Sequence, residues 1–135
     1  MEDRRNFVMK IAAGMAPKGF MSISGQAISN DDQIKNLFVH HVFFWLKKPE
    51  NKEERNQFEK GIQSLRAIPQ IQSSHIGNPV VSTRAVVDDT FTYSYMTFFR
   101  NNEDQTIYQT HPLHLQFIED CQHLWDKVIV YDAAG

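Results

Sequence analysis

With a single cysteine, Cys121, the 135-residue chain has no means of stapling its fold with an intramolecular disulfide. That cysteine falls in an apolar stripe at helical spacing, where a thiol packs as a small hydrophobe. Long apolar runs are missing too. The one candidate is broken by Lys18 and by several glycines and serines, far short of the ~18 consecutive apolar residues a spanning helix needs, so no membrane partner is expected. There is no block of like charge, and the formal net charge is -2, which removes the basic footprint of nucleic-acid binding. Hydrophobic residues at 41% and charged residues at 22% are ordinary globular values and exclude disorder or a fibre. What remains is one core of ordinary domain size.

Residues 1–36 differ in composition from the rest. Arg4 and Arg5 precede a short charged and apolar stretch and then a small-residue tract, IAAGMAPKGFMSISGQA. This order resembles a twin-arginine export signal, with Gly25 to Ala27 offering the small residues a signal peptidase accepts. Cleavage after Ala27 would release a chain beginning at Ile28 and direct it to the periplasm. Without cleavage the extension is expected to form a short amphipathic helix on a cytoplasmic protein.

Residues 37–133 carry the domain. Phe38 to Leu46 (FVHHVFFWL) is a nearly unbroken apolar run, too short for a typical helix, and predicts a strand covered on both faces. Phe58, Ile62 and Leu65 recur at helical spacing between Glu50 and the stop at Pro69, which predicts an amphipathic helix. Ile71 to Val81, interrupted by Gly77, Asn78 and Pro79, reads as a bent edge strand, and Thr83 to Thr90 as a loop. Phe91 to Phe99 alternates as a second strong strand, again with both faces expected to be covered. A short helix follows from Asn101 or Asn102 to Thr110, and Pro112 opens another. On that second helix His114, Phe117, Ile118, Cys121, Leu124 and Trp125 make one inward stripe, and Lys127 to Tyr131 closes the chain as a last strand. Strand, helix, two strands, helices and strand is the α+β, ferredoxin-like β-α-β-β-α-β order, with helices on one face of an antiparallel sheet. His41, Phe43 and Trp45, with Tyr93 and Tyr95, would then leave an aromatic patch on the other face, best hidden by a second copy.

The stretches VHHVFFWLK at 39–47, IPQI at 68–71, IYQTHPLH at 107–114 and LWDKVIVYD at 124–132 resemble the stress-responsive dimeric α/β-barrel (Dabb) family across the whole domain. The resemblance implies a ferredoxin-like homodimer whose two sheets meet in a barrel. Most such proteins have no assigned reaction. One plant member closes a linear polyketide by aldol condensation with a tyrosine and a histidine of the equivalent YxxHPxH segment. Carried over, those roles fall on Tyr108 and His114, and cavity-lining roles on His41 and Trp125. Tyr93 stands where that cyclase has a histidine and Gly61 where it has a tyrosine, so the implied cavity differs in shape and polarity.

His114, aimed inward and titrating near neutrality, is the candidate general base, and the Tyr108 hydroxyl could hold a developing oxyanion. Phe43, Trp45, Phe58, Tyr93, Tyr95 and Trp125 are the candidate lining for a small apolar or aromatic molecule. His111, before Pro112, is expected to be structural, and His40, which alternates away from His41, to be packed or solvated. Five histidines, His40, His41, His75, His111 and His114, could supply imidazoles, but neither their spacing nor a CxxC supports a metal site. No cofactor is called for. The alternative to an enzyme is a stress-associated binding or interaction module on the same dimer.

Overall fold

Nine residues of alternating burial, Phe38–Leu46, form strand β1 at the centre of the sheet. The computed structural model describes residues 32–135, so the export signal and its cleavage after Ala27 lie outside the described residues. Helix α1 spans Lys52–Ser64 and tightens into a 3-10 turn at Leu65–Ala67. Its first turn is fixed by Asn51, whose side chain accepts the Glu54 N–H, with Glu53 and Glu54 favourably placed at the positive end of the helix dipole. Strand β2 (Ser73–Gly77), strand β3 (Tyr93–Phe99), helix α2 (Asn102–Thr110), helix α3 (Pro112–Cys121) and strand β4 (Trp125–Ala134) complete the order. The four-stranded sheet runs β2-β3-β1-β4 with every neighbouring pair antiparallel, the ferredoxin-like α+β arrangement expected.

One face of this sheet is covered within the protomer. His40, Val42, Phe44 and Leu46 of β1 are buried under the helices together with Tyr93, Tyr95, Thr97 and Phe99 of β3. Phe44, Phe58, Phe117 and Trp125 meet in edge and tilted ring contacts between 4.8 and 6.3 Å, geometry that aromatic quadrupoles prefer. Val39, His41, Phe43 and Trp45 lie on the other face and are only half-buried, so within one protomer β1 is covered on one face alone. The expected placement of Tyr93 and Tyr95 is corrected. The register pairs them with Phe44 and Val42, so they belong to the helix-covered side and not to the aromatic patch. Period-two alternation is clear along β3 and from Val39 onward in β1, but which parity turns to the helices depends on the pairing.

Other boundaries moved for local reasons. Strand β2 ends at Gly77 and not at Val81. Pro79 has no N–H for a ladder, the Asn78 side chain turns to the Thr92 carbonyl, and Val80 and Val81 are exposed. Trp125 leaves the helical stripe to open β4, after a 3-10 turn at Gln122–Leu124. Its ring still reaches the core.

Gly61 shows why α1 and α3 approach so closely. A Cβ placed there would stand 2.5 Å from the Cys121 Sγ and 3.0 Å from the Phe117 ring. Alanine would gain helix propensity of about 1 kcal/mol, but overpacking a core contact costs roughly 1–3 kcal/mol. We expect Gly61→Ala to lower unfolding stability in urea by about 1 kcal/mol, and the added Cys121→Ala to recover most of that loss, the coupling expected of residues in contact. A neutral or stabilising Gly61→Ala would show that α1 shifts freely on α3.

Candidate active site

The segment Tyr108 to His114 is the end of one helix, a cap and the start of the next. Asn101 caps α2 by accepting the Asp104 N–H at 2.8 Å, and Arg100 Nε donates to the Asp104 carboxylate at 2.8 Å, which fixes the start of the helix that carries Tyr108. At its far end His111 turns extended, the conformation a residue before proline prefers. The His111 Nδ1 then accepts the Leu113 N–H at 3.0 Å and caps α3, with Pro112 in the first turn where no N–H is missed. This bend brings the Tyr108 and His114 rings to 4.7 Å, both buried.

The His114 Nδ1 lies 3.0 Å from the Gln109 carbonyl. A carbonyl only accepts, so Nδ1 carries the proton and the neutral ring keeps its lone pair on Nε2. Burial, and then the neighbouring His40, push the His114 pKa below its ordinary value, while the Gln109 contact works the other way. The imidazole is therefore held in the form a base needs. Burial, reinforced by Tyr95, raises the Tyr108 pKa well above the usual tyrosine value, so its hydroxyl stays protonated and able to donate.

Strand β1 adds a residue that sequence reasoning set aside. His40 is buried beneath the helices, its ring 5.9 Å from Tyr108, and its Nδ1 lies 2.6 Å from the Asp132 carboxylate on β4. The ladder aligns His40 with Thr97 on one side and Asp132 on the other, and the Thr97 hydroxyl donates to the His40 carbonyl at 3.0 Å. The expectation that His40 is packed holds, yet the packing puts it beside the candidate pair. His41 turns to the opposite face, where its Nε2 lies 2.7 Å from the Ser94 hydroxyl.

The predicted lining residues thus divide. Phe58, Tyr93, Tyr95 and Trp125 share the helix-covered side with Tyr108 and His114. His41, Phe43 and Trp45 are cut off from that pair by the sheet. Phe43 and Trp45, with Phe91, Ile129 and Tyr131, instead border a shallow cavity of about 110 Å³ on the open face. Tyr93 donates to Glu59 and carries Arg55 over its ring at 4.8 Å, and burial with the Glu59 contact pushes its pKa up to about 12. Among the described residues no group of three His, Cys, Asp or Glu side chains is arranged to hold a metal, and no helix is long and apolar enough to cross a membrane.

The family model of the stress responsive A/B barrel domain matches residues 38–134. The chain belongs to this family. No curated protein matches it by sequence. Among solved structures this A/B barrel domain is similar to a Dabb-family protein with a ferredoxin-like fold from Mesorhizobium loti, at 21% identity and a TM-score of 0.62, covering 73% of this chain and 96% of that one. A dimeric protein of unknown function from Bacteroides fragilis aligns at 21% identity and a TM-score of 0.60, covering 76% and 100%. A hydroxynitrile lyase from Passiflora edulis aligns at 21% identity and a TM-score of 0.62, covering 74% and 94%. At these identities the likeness is one of fold, and function must be argued from the site.

The lowered His114 pKa makes a stability prediction with a definite sign. A histidine whose folded pKa lies below its unfolded value binds fewer protons when folded, so its stability is fully present above the unfolded pKa of about 6.5 and is lost as pH falls towards the folded one. Urea midpoints measured from pH 8 down to pH 5 should fall less steeply for His114→Gln than for the parent. Parallel curves would show that His114 titrates as it does in the unfolded chain.

Proposed function

We propose that this A/B barrel protein is a homodimer that binds a small apolar or aromatic molecule between its sheet and helices, and that Tyr108 and His114 move a proton on it. The observation that carries the reading is the contact of His114 Nδ1 with the Gln109 carbonyl. A buried imidazole with Nδ1–H tied to a backbone carbonyl keeps the Nε2 lone pair for another group, beside a hydroxyl held protonated. In that reading His114 Nε2 takes a proton from a carbon next to a carbonyl while Tyr108 donates a hydrogen bond to the oxygen that gains charge. His40, oriented by Asp132, packs against Tyr108 at a ring distance of 5.9 Å and would offer its Nε2 as a further polar contact. A hydroxynitrile lyase has this fold, so the scaffold is compatible with catalysis.

Binding without turnover is favoured by a different feature of the same residue. The His114 Nδ1 is already satisfied, as it would be in a histidine kept for packing. Deuterium exchange into enolisable aryl ketones, followed by NMR, separates the two. The parent should exchange the carbon-bound proton, His114→Ala should lose about 100-fold or more, the usual contribution of a positioned base, and Tyr108→Phe should also slow. Ligand protection in thermal shift with no exchange in any variant would leave only the binding module.

The open face supports the homodimer. Phe43 meets His41, Phe91 and Tyr131 at ring distances of 4.2, 5.1 and 6.1 Å, and Tyr131 is 65% exposed. Solvent-facing aromatic clusters of this kind mark interfaces, and similar structures from Bacteroides fragilis and Thermobifida fusca are dimeric. Light scattering at micromolar concentration should give a dimer for the parent and a monomer for Phe43→Glu. A stable monomeric parent would overturn the dimer.

A further inference from the structure

Between the C-terminal end of α1 and the edge strand β2 lies a groove of about 540 Å³ that the proposed chemistry does not yet use. Gln63 and Arg66 form one wall, Ser74 lies on the other, and Ile71 and Ile76 supply the apolar surface. None of the described lining residues is an aspartate or glutamate, so Arg66 is the permanent charge facing the groove. Its guanidinium is steadied by the Gln63 side-chain carbonyl at 3.1 Å, which leaves the remaining N–H groups of the fork for a ligand.

A second observation connects this groove to the interior. Tyr95, directly opposite Ile76 in the β2-β3 ladder, is 2% exposed, and its buried hydroxyl has the Ser74 side chain near it but no partner in good hydrogen-bonding geometry among the described residues. Buried polar groups are nearly always well paired, so a hydroxyl left with Ser74 in poor geometry can still take a ligand atom that completes it. Ser74 and Arg66 are close enough to offset part of the upward shift that burial imposes on the Tyr95 pKa, and Tyr95 in turn raises that of Tyr108. Tyr95 thus lies across the ladder from the groove residue Ile76 and in the same buried cluster as Tyr108.

We propose, building on the binding reading above, that this groove is the mouth of the site and that Arg66 anchors there the carboxylate of a small aromatic acid, with the Tyr95 hydroxyl completing the polar contacts inside. A carboxylate matches one guanidinium fork in geometry and charge, and Ser74 adds a neutral hydroxyl. A phosphate dianion would call for more cation than a single arginine provides. The body of the ligand runs past Ile71 and Ile76 towards Tyr108.

The test uses the full chain and three probes in calorimetry and NMR: 2-naphthoate, its neutral amide 2-naphthamide, and inorganic phosphate. The parent should bind 2-naphthoate more tightly than the amide, with chemical-shift changes at the Tyr108 ring. Arg66→Met should weaken 2-naphthoate by roughly tenfold or more, the scale of one charge-assisted hydrogen bond, and leave the amide unchanged, while Arg66→Lys recovers part of the loss. Equal binding of acid and amide, both indifferent to Arg66→Met, would overturn the anchor and leave the apolar binding site standing. Binding of 2-naphthoate without any change at Tyr108 would make the groove a separate site and overturn its role as the mouth. Phosphate binding more tightly than 2-naphthoate through Arg66 would replace the carboxylate. If neither naphthalene compound binds, the anchor and the underlying binding reading fall together.

Discussion

The register of β1 between β3 and β4 is the constraint on which the rest of the molecule depends. Phe38–Leu46 is hydrogen-bonded on both edges, with Phe38 to Phe44 partnered on either side, and a slip of one residue would exchange every side chain between the two faces. With the register in place, Val42 and Phe44 lie beneath the helices, aligned with Tyr95 and Tyr93 on β3. The same alignment carries His40 inward against Tyr108 and sets its Nδ1 on Asp132. His41 is sent outward with Phe43 and Trp45, and the open apolar face follows from that alone.

Helices α2 and α3 answer this sheet through one bend. His111 cannot continue α2 comfortably because Pro112 follows it, and its imidazole instead caps α3. Two residues on separate helices are thereby turned onto each other. The carbonyl of Gln109, close to the C-terminal end of α2, is left to receive the Nδ1–H of His114, so the helix junction also sets the tautomer of that imidazole. Two histidines three residues apart are held for different physical reasons: His111 caps a helix through a backbone N–H, and His114 is buried against a carbonyl.

Much of this was legible in the residues. The asparagine cap before α2, Pro112 at the head of α3, the capping position of His111 and the inward stripe through His114, Phe117 and Cys121 all rest on local rules of three or four residues. The hydrophobic pattern of Phe58 and Ile62 likewise marks α1 before any packing is known. Less legible were the bounds of β2, where β-branched Val80 and Val81 suggested a longer strand but the chain leaves the ladder at Gly77. Asp132 carried no local signal at all, since a carboxylate near the end of a strand is ordinarily solvated.

The amino-acid sequence by itself determined the order of elements, the caps and the helix junction at Tyr108 to His114, because each of these is decided by neighbours along the chain. It also determined that His40 and His41 lie on opposite faces. Only the tertiary structure decided which of the two joins Tyr108, that Tyr93 and Tyr95 lie under the helices, and that Asp132 meets His40. Those outcomes depend on strand pairing between segments far apart in the chain, and a side-chain pattern of period two cannot say which of its two faces another segment will cover.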